Sequence, residues 1–212
     1  MKLYGFFRSS ATYRVRIALN LKGIRCERVS VNLTRNEASA PHYLALNPQG
    51  LVPVLEDGGQ LISQSMAICE YLDERHPDPM LLPHDPVGRA HVRALALAVA
   101  CEIHPLNNRR VQAYLAKNFS AGDEQLAAWN RNWMTAGFQA VEAMLARAQT
   151  TTRFCHGDSP TLADIFLVPQ VYNAVRARVD LVPFPNIRRI NEACMALDAF
   201  DAARPERQPD AA

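Results

Sequence analysis

The stretch Leu51-Val52-Pro53-Val54-Leu55-Glu56 constrains this chain most, because it is an apolar strand pattern with a proline inside it. Proline cannot donate to a sheet ladder, so within a strand it belongs at an edge, at the first residue or at a special turn, of which a cis bond is one. The reading adopted is a cis Val52-Pro53 bond. Around it the pattern is legible on both sides. Lys2 to Phe7 reads as a strand, and Val15, Ala18 and Leu19 then recur at helical spacing until Lys22-Gly23 stops the helix. Cys26 to Asn32 alternates as a second strand, Thr34 to Ala40 is polar loop, and Pro41 to Leu46 is a short helix with proline at its start. After the proline-bearing strand, Asp57-Gly58-Gly59 turns the chain into a short strand at Gln60 to Ile62, followed by a helix over Ser65 to Arg75. The order is β-α-β-α-β-β-α.

Pro77-Asp78-Pro79 and the prolines at 83 and 86 bracket an apolar linker, which divides the chain into residues 1–80 and 86–212. Beyond it, Val87 to about Phe119, Asp123 to about Gln149, Thr161 to Arg176 and Ile187 to Phe200 all read as helices. The second domain is therefore expected to be all-α. Thr161 stands three residues before Asp164, the spacing of a reciprocal helix cap worth about 1 kcal/mol, and is read as a folding feature.

Two adjacent hydroxyls, Ser9 and Ser10, fall in the first strand-to-helix turn. Taken alone, either is an ordinary helix cap. The first N–H groups of the helix point into the same turn, so hydroxyl donors beside a positive helix end also suit an anion. A thiolate is one candidate, since this environment lowers a thiol pKa. The five cysteines are odd in number, widely spaced and without a C-x-x-C pair, which argues against a disulfide framework or a zinc site. A net charge of +2 leaves no footprint for nucleic acid or membrane. With no long apolar leader and no run of about 18 apolar residues, the default is a cytoplasmic protein. Among 23 basic residues only 3 are lysine, a bias of genome composition, so each arginine needs a positional reason.

The β-α-β-α-β-β-α order with X-Pro at the third strand, followed by an all-α domain, resembles the glutathione transferases across essentially the whole chain. More narrowly, Phe7-Arg8-Ser9-Ser10, Arg14-Val15-Arg16-Ile17-Ala18-Leu19, Leu46-Asn47-Pro48-Gln49-Gly50, Gln64-Ser65, Pro105-Leu106-Asn107-Asn108 and Arg207-Gln208-Pro209-Asp210 look like the zeta class, also known as the maleylacetoacetate isomerase family. The fold implied is an α/β thioredoxin-like domain with a mixed sheet and a cis-proline, plus an all-α domain. Two positions depart from the family pattern: Ala11 stands where it has cysteine, and Tyr13 where it has tryptophan. A mechanism needing a thiol at position 11 is excluded.

The resemblance implies reduced glutathione as cofactor, regenerated each turnover. Its thiolate would sit at Ser9, with Ser10 and the Ala11 N–H as secondary donors. Its cysteinyl backbone would run antiparallel to Val52, its γ-glutamyl carboxylate would meet Gln64 and Ser65, and its glycyl arm Gln49. His104 and Asn108, four apart and read as sharing a helix face, map to further glutathione contacts. Arg8, Arg109, Arg110 and Arg176 form the substrate set, because planar guanidinium forks suit carboxylates. A homodimer is implied as well.

The activity implied is cis–trans isomerisation of a maleyl keto acid, maleylpyruvate or maleylacetoacetate, by thiolate addition, bond rotation and elimination. The protein must lower the thiol pKa, hold a flexible dianion and stabilise the developing enolate. Arg109 and Ala11 both depart from the maleylacetoacetate pattern, and the extra cation suits the shorter dianion, maleylpyruvate. Two alternatives stand beside this reading: a broad glutathione transferase acting on small haloacids, and a non-catalytic interaction module of the same fold.

Overall fold

The computed structural model describes residues 1–211. The first apolar run forms β1 (Lys2–Gly5), which is paired on both sides. It runs parallel to β2 (Glu27–Ser30) and antiparallel to β3 (Val54–Asp57), and β3 pairs antiparallel with β4 (Gln60–Ser63), giving the order β2-β1-β3-β4. A parallel neighbour needs a crossover, supplied by α1 (Ser10–Leu21). The short α2 (Pro41–Leu44) and α3 (Ser65–Arg75) complete the expected order. The Val52–Pro53 bond is cis, as expected, and Asp78–Pro79 is a second cis bond that nothing in the sequence announced.

Helix α1 is buried nearly all round and packs against α3, whose Ile68, Cys69 and Leu72 are inaccessible. A second cluster, Phe6, Val31, Ala38, Tyr43, Val52 and Val54, places Val52 in the core. Where β1 meets α1 the chains approach so closely that a Cβ on Gly5 would lie 2.3 Å from Thr12 Cγ2. Only glycine fits there. Lys22, at the end of α1, uses all three ammonium protons: on Asp73 Oδ1 at 2.9 Å, the His76 carbonyl at 2.6 Å and the Pro79 carbonyl at 2.8 Å.

Two compact units result, and their division differs from a simple cut at the linker. One unit contains Met1–Leu81 together with the segment from Met195 onward, and the other contains Leu82–Cys194. The late segment belongs with the sheet because its main chain is held by α1: Asn20 Nδ2 donates to the Ala199 carbonyl at 2.9 Å and Arg16 Nε to that of Ala203 at 2.9 Å.

The second unit is helical, with α4 (Pro86–Leu97), α5 (Arg109–Phe119), α6 (Asp123–Arg147), α7 (Leu162–Arg176) and α8 (Pro185–Met195). The helix expected over 87–119 is a correction. After α4 the chain widens into a π-helix at Ala98–Ile103, tightens into a 3-10 turn at His104–Asn107 and restarts at α5. Pro105 lacks the N–H that a continuous helix needs, and Asn108 adopts extended backbone, φ −69° and ψ 142°, to cap α5. The stretch from Ile187 is likewise two helices, α8 and α9 (Asp198–Asp201). Asp164 takes the Thr161 N–H at 2.8 Å and hydroxyl at 2.9 Å, as the spacing predicted, and also the Cys155 N–H at 2.8 Å.

Candidate active site

In the sheet-bearing unit, the turn after β1 is closed by the Ser9 N–H on the Phe6 carbonyl at 3.0 Å. Ser9 then caps α1, its Oγ accepting the Thr12 N–H at 3.2 Å. Capping occupies a lone pair and leaves the hydroxyl proton, so a capping serine is still a donor. Ser9 is half-buried, whereas Ser10, the first residue of α1, is 6% exposed. No acidic residue stands in the first turn of α1, so its positive end is not neutralised from within. Arg8 is exposed, with its guanidinium 5.3 Å from the Phe7 ring centroid and 5.9 Å from that of Phe6.

The register of β1 with β3 ends at Tyr4 and Val54. Val52 lies beyond the last pair, so the ladder with β1 does not use its main chain. Nearby, Asn47 is buried, donating from Nδ2 to the Leu51 carbonyl at 2.7 Å and accepting the Gln49 N–H at 3.1 Å. Gln49 in turn accepts from Gln64 Nε2 at 2.7 Å. Gln64 has φ +71°, a left-handed value that costs a side-chain-bearing residue about 1–3 kcal/mol and that clusters at ligand clamps. It precedes α3 without capping it through its side chain, and the first turn of α3 carries no acid. This helix end is thus open toward an anion.

Ser65, the first residue of α3, is buried and accepts from Arg14 Nη1 at 3.2 Å. Arg14 itself is 2% exposed. It places a guanidinium beneath the α3 end, and sequence reasoning did not give it this role. The available signal was its position one residue from Val15 on a helix buried on every side, which a bias toward arginine concealed.

The helical unit holds the remaining candidates. His104 opens the 3-10 turn and Asn108 caps α5, its Oδ1 accepting the Arg110 N–H at 3.1 Å. The shared face of a continuous helix, expected for His104 and Asn108, is therefore replaced by adjacency across a helix break. The break is pinned to α6: Trp129 Nε1 donates to the Leu106 carbonyl at 2.8 Å and Asn107 Nδ2 to Asn130 Oδ1 at 3.2 Å. A Cβ on Gly137 of α6 would lie 2.2 Å from Ile103 Cγ1, so the close approach requires glycine. Arg109 and Arg110 are the first two residues of α5, exposed, with no acid in that turn. Two guanidinium groups on a helix N-terminus oppose the macrodipole, and an arrangement that costs stability attracts anions. Arg176, at the end of α7, is exposed with its guanidinium 5.8 Å from the Tyr172 ring centroid.

Comparison with known proteins bears on both units. The model described as glutathione S-transferase, N-terminal domain, matches residues 3–80, and that for the C-terminal domain matches residues 109–192. A maleylpyruvate isomerase of Ralstonia sp. is 52% identical over 212 residues, covering all of both chains. A holo structure of maleylpyruvate isomerase, described as a bacterial zeta-class glutathione S-transferase, superposes with a TM-score of 0.98 at 52% identity, again over the whole of both chains. A maleylacetoacetate isomerase from Methylobacterium extorquens, solved with malonate and glutathione bound, superposes at 0.97 with 41% identity and complete coverage of both chains. With both domains matched and this identity running from end to end, the chain belongs to the glutathione S-transferase family, in the zeta-class branch of maleylpyruvate and maleylacetoacetate isomerases.

Proposed function

We propose that this protein converts a maleyl keto acid to its fumaryl isomer with reduced glutathione as a recycled cofactor. The observation that carries the reading is the Ser9 turn: a hydroxyl that caps α1, keeps its proton, and sits at a helix end with no acid to neutralise it. Glutathione fits the rest of the sheet unit. Val52 offers unpaired main chain to a cysteinyl backbone, and the open end of α3, with Arg14 beneath Ser65, suits the γ-glutamyl carboxylate. The bonded pair Gln49 and Gln64 borders the glycyl arm.

Bound glutathione supplies a thiolate that adds to the cis alkene, allows rotation about the resulting single bond and departs again. The chain's own residues make that thiolate available and hold the substrate. Ser9 donates to sulfur, and Ser10 and the Ala11 N–H reinforce the positive field of α1. Arg8, Arg109, Arg110 and Arg176 take the two carboxylates, and a guanidinium proton meets the negative charge developing on the keto oxygen. His104 and Asn108 contribute to holding glutathione. Five unpaired cysteines and the need for reduced glutathione support a cytoplasmic location. Exposed apolar side chains such as Val87, Leu97 and Leu61 favour a homodimer, which light scattering at twice 23.6 kDa would report.

Of the two acids, we favour maleylpyruvate, for which the 52% identical relative is named. One methylene is worth only about 1–3 kcal/mol in a pocket, so both acids should turn over. The test is kcat/KM for each acid in wild type, Arg109→Leu and Arg176→Ala. Arg109→Leu should erode the preference for maleylpyruvate and Arg176→Ala should lower both values. An unchanged ratio in the first removes Arg109 from specificity, and unchanged values in the second refute the carboxylate clamp.

A further inference from the structure

Ser9 lies two residues after Phe7, whose peptide groups are held from an unexpected quarter. The Phe7 N–H donates to Asp210 Oδ2 at 3.0 Å, across 203 positions of sequence. The same oxygen accepts the Ser30 hydroxyl at 3.1 Å, tying it to β2. On its other side the Phe7 carbonyl accepts from Arg16 Nη2 at 3.0 Å, while Arg16 Nε holds the Ala203 carbonyl at 2.9 Å. Arg16 is 2% exposed, so this guanidinium is a buried strut between the turn and the late segment. Gln208 Nε2 folds that segment on itself, donating to the Ala202 carbonyl at 3.0 Å and to that of Arg204 at 2.8 Å.

Open space borders this turn, where Phe6, Phe7, Arg16, Gln208 and Asp210 line a pocket of about 230 Å³. Fewer packed neighbours there leave more of the restraint to polar ties, and here both peptide groups of Phe7 are tied. The Phe7 ring also carries the Arg8 guanidinium, so a shift in Phe7 moves Arg8 and Ser9 together.

We infer that residues 203–210 form a strap whose Asp210 carboxylate, with Arg16, positions the Ser9 hydroxyl for the isomerase reaction. Asp210 is a positioning residue: it touches no reacting atom and acts through the Phe7 peptide. The inference rests on the reading of Ser9 proposed above, and its consequence is specific. Loss of the tie should misalign the sulfur donor without touching Val52, Gln64 or Ser65, so glutathione should still bind while its thiol becomes harder to ionise.

The experiment uses the full chain as wild type, Asp210→Ala and Asp210→Asn. The asparagine keeps an oxygen that can accept from Phe7 and Ser30. Thiolate absorbance of saturating bound glutathione is followed against pH, with kcat, glutathione KM and melting temperature measured alongside. Because misplacement by about 1 Å can cost on the order of 100-fold, a loss in kcat of about tenfold or more is expected for Asp210→Ala. The bound thiol pKa should rise toward that of free glutathione, with KM within about twofold of wild type, and Asp210→Asn should restore most of both. An unchanged thiol pKa in folded Asp210→Ala overturns the inference, whether or not the melting temperature falls, and so does an asparagine variant as impaired as the alanine. Should wild type show no isomerisation at all, the functional reading fails, and the thiolate titration alone still decides whether the strap positions Ser9.

Discussion

Ser9→Ala and Ser9→Gly remove the same hydroxyl but should cost different amounts of stability. Ser9 Oγ accepts the Thr12 N–H at 3.2 Å, so alanine leaves that donor without its cap, at about 1 kcal/mol. Glycine is a tolerable cap and should cost only a few tenths of a kcal/mol. For a chain of this size about 1 kcal/mol shifts the melting temperature by roughly 2–4 °C, which calorimetry resolves. Catalysis should not follow that order. A hydrogen bond to a charged group contributes about 1.5–3 kcal/mol, which corresponds to a rise of roughly one to two in the pKa of the bound thiol. Both variants should therefore lose about 10- to 100-fold in kcat at neutral pH and recover much of it at alkaline pH, where the thiolate forms unaided. Ser9→Thr, which keeps hydroxyl and cap, should retain both properties. The assay is kcat against pH for the four proteins beside their melting curves. Activity that tracks melting temperature, with Ser9→Gly near wild type, would reduce Ser9 to a helix cap.

Three further outcomes are expected. Asp164→Ala strands the N–H groups of Cys155 and Thr161 and the Thr161 hydroxyl, at about 1–3 kcal/mol for each buried donor, so denaturant midpoints should show a loss of at least about 3 kcal/mol. Burial outweighs these hydrogen bonds and holds the Asp164 carboxyl above its ordinary range, so the folded state binds the proton more tightly than the unfolded state. Its contribution therefore falls as pH rises from the unfolded to the folded pKa, and the gap between wild type and Asp164→Ala should narrow over that window. Gly5→Ala drives a methyl into Thr12 and should cost about 1–3 kcal/mol by overpacking, with loss of activity because the Ser9 turn moves; an active, equally stable variant would show that the turn yields freely. Burial pushes the Cys69 thiol up to about 12 and raises Cys155 as well, while Cys101 is exposed, so alkylation at pH 8 followed by mass spectrometry should label Cys101 first and Cys69 only on unfolding.

How far the sequence can be read depends on whether a signal is local. Proline inside an apolar strand has few local solutions, so the cis Val52–Pro53 bond was legible, as were the strand-to-helix turn at Ser9 and the cap at Thr161. The break at 98–108 has a local mark in Pro105, but apolar residues continue at helical spacing on both sides of it and that spacing hid the break; the π-helix before it, beside the close approach of α6 at Gly137, has no local mark. Of the candidate site, the hydroxyls and the Gln64 helix end stand out in the sequence because their residue types are themselves the signal. Arg14, Arg16 and Asp210 do not, because an arginine or aspartate means nothing until its partner is known, and theirs lie 51, 187 and 203 residues away.

The central claim is that glutathione is required and not consumed. Maleylpyruvate incubated with the protein and glutathione at about one hundredth of its concentration, followed by proton NMR, tests this directly. The account predicts conversion to the trans acid in large molar excess over glutathione, full recovery of free thiol at the end, and no enzymatic acceleration when glutathione is omitted. Conversion that stops after one equivalent with a stable conjugate, or that proceeds equally well without glutathione, would contradict it.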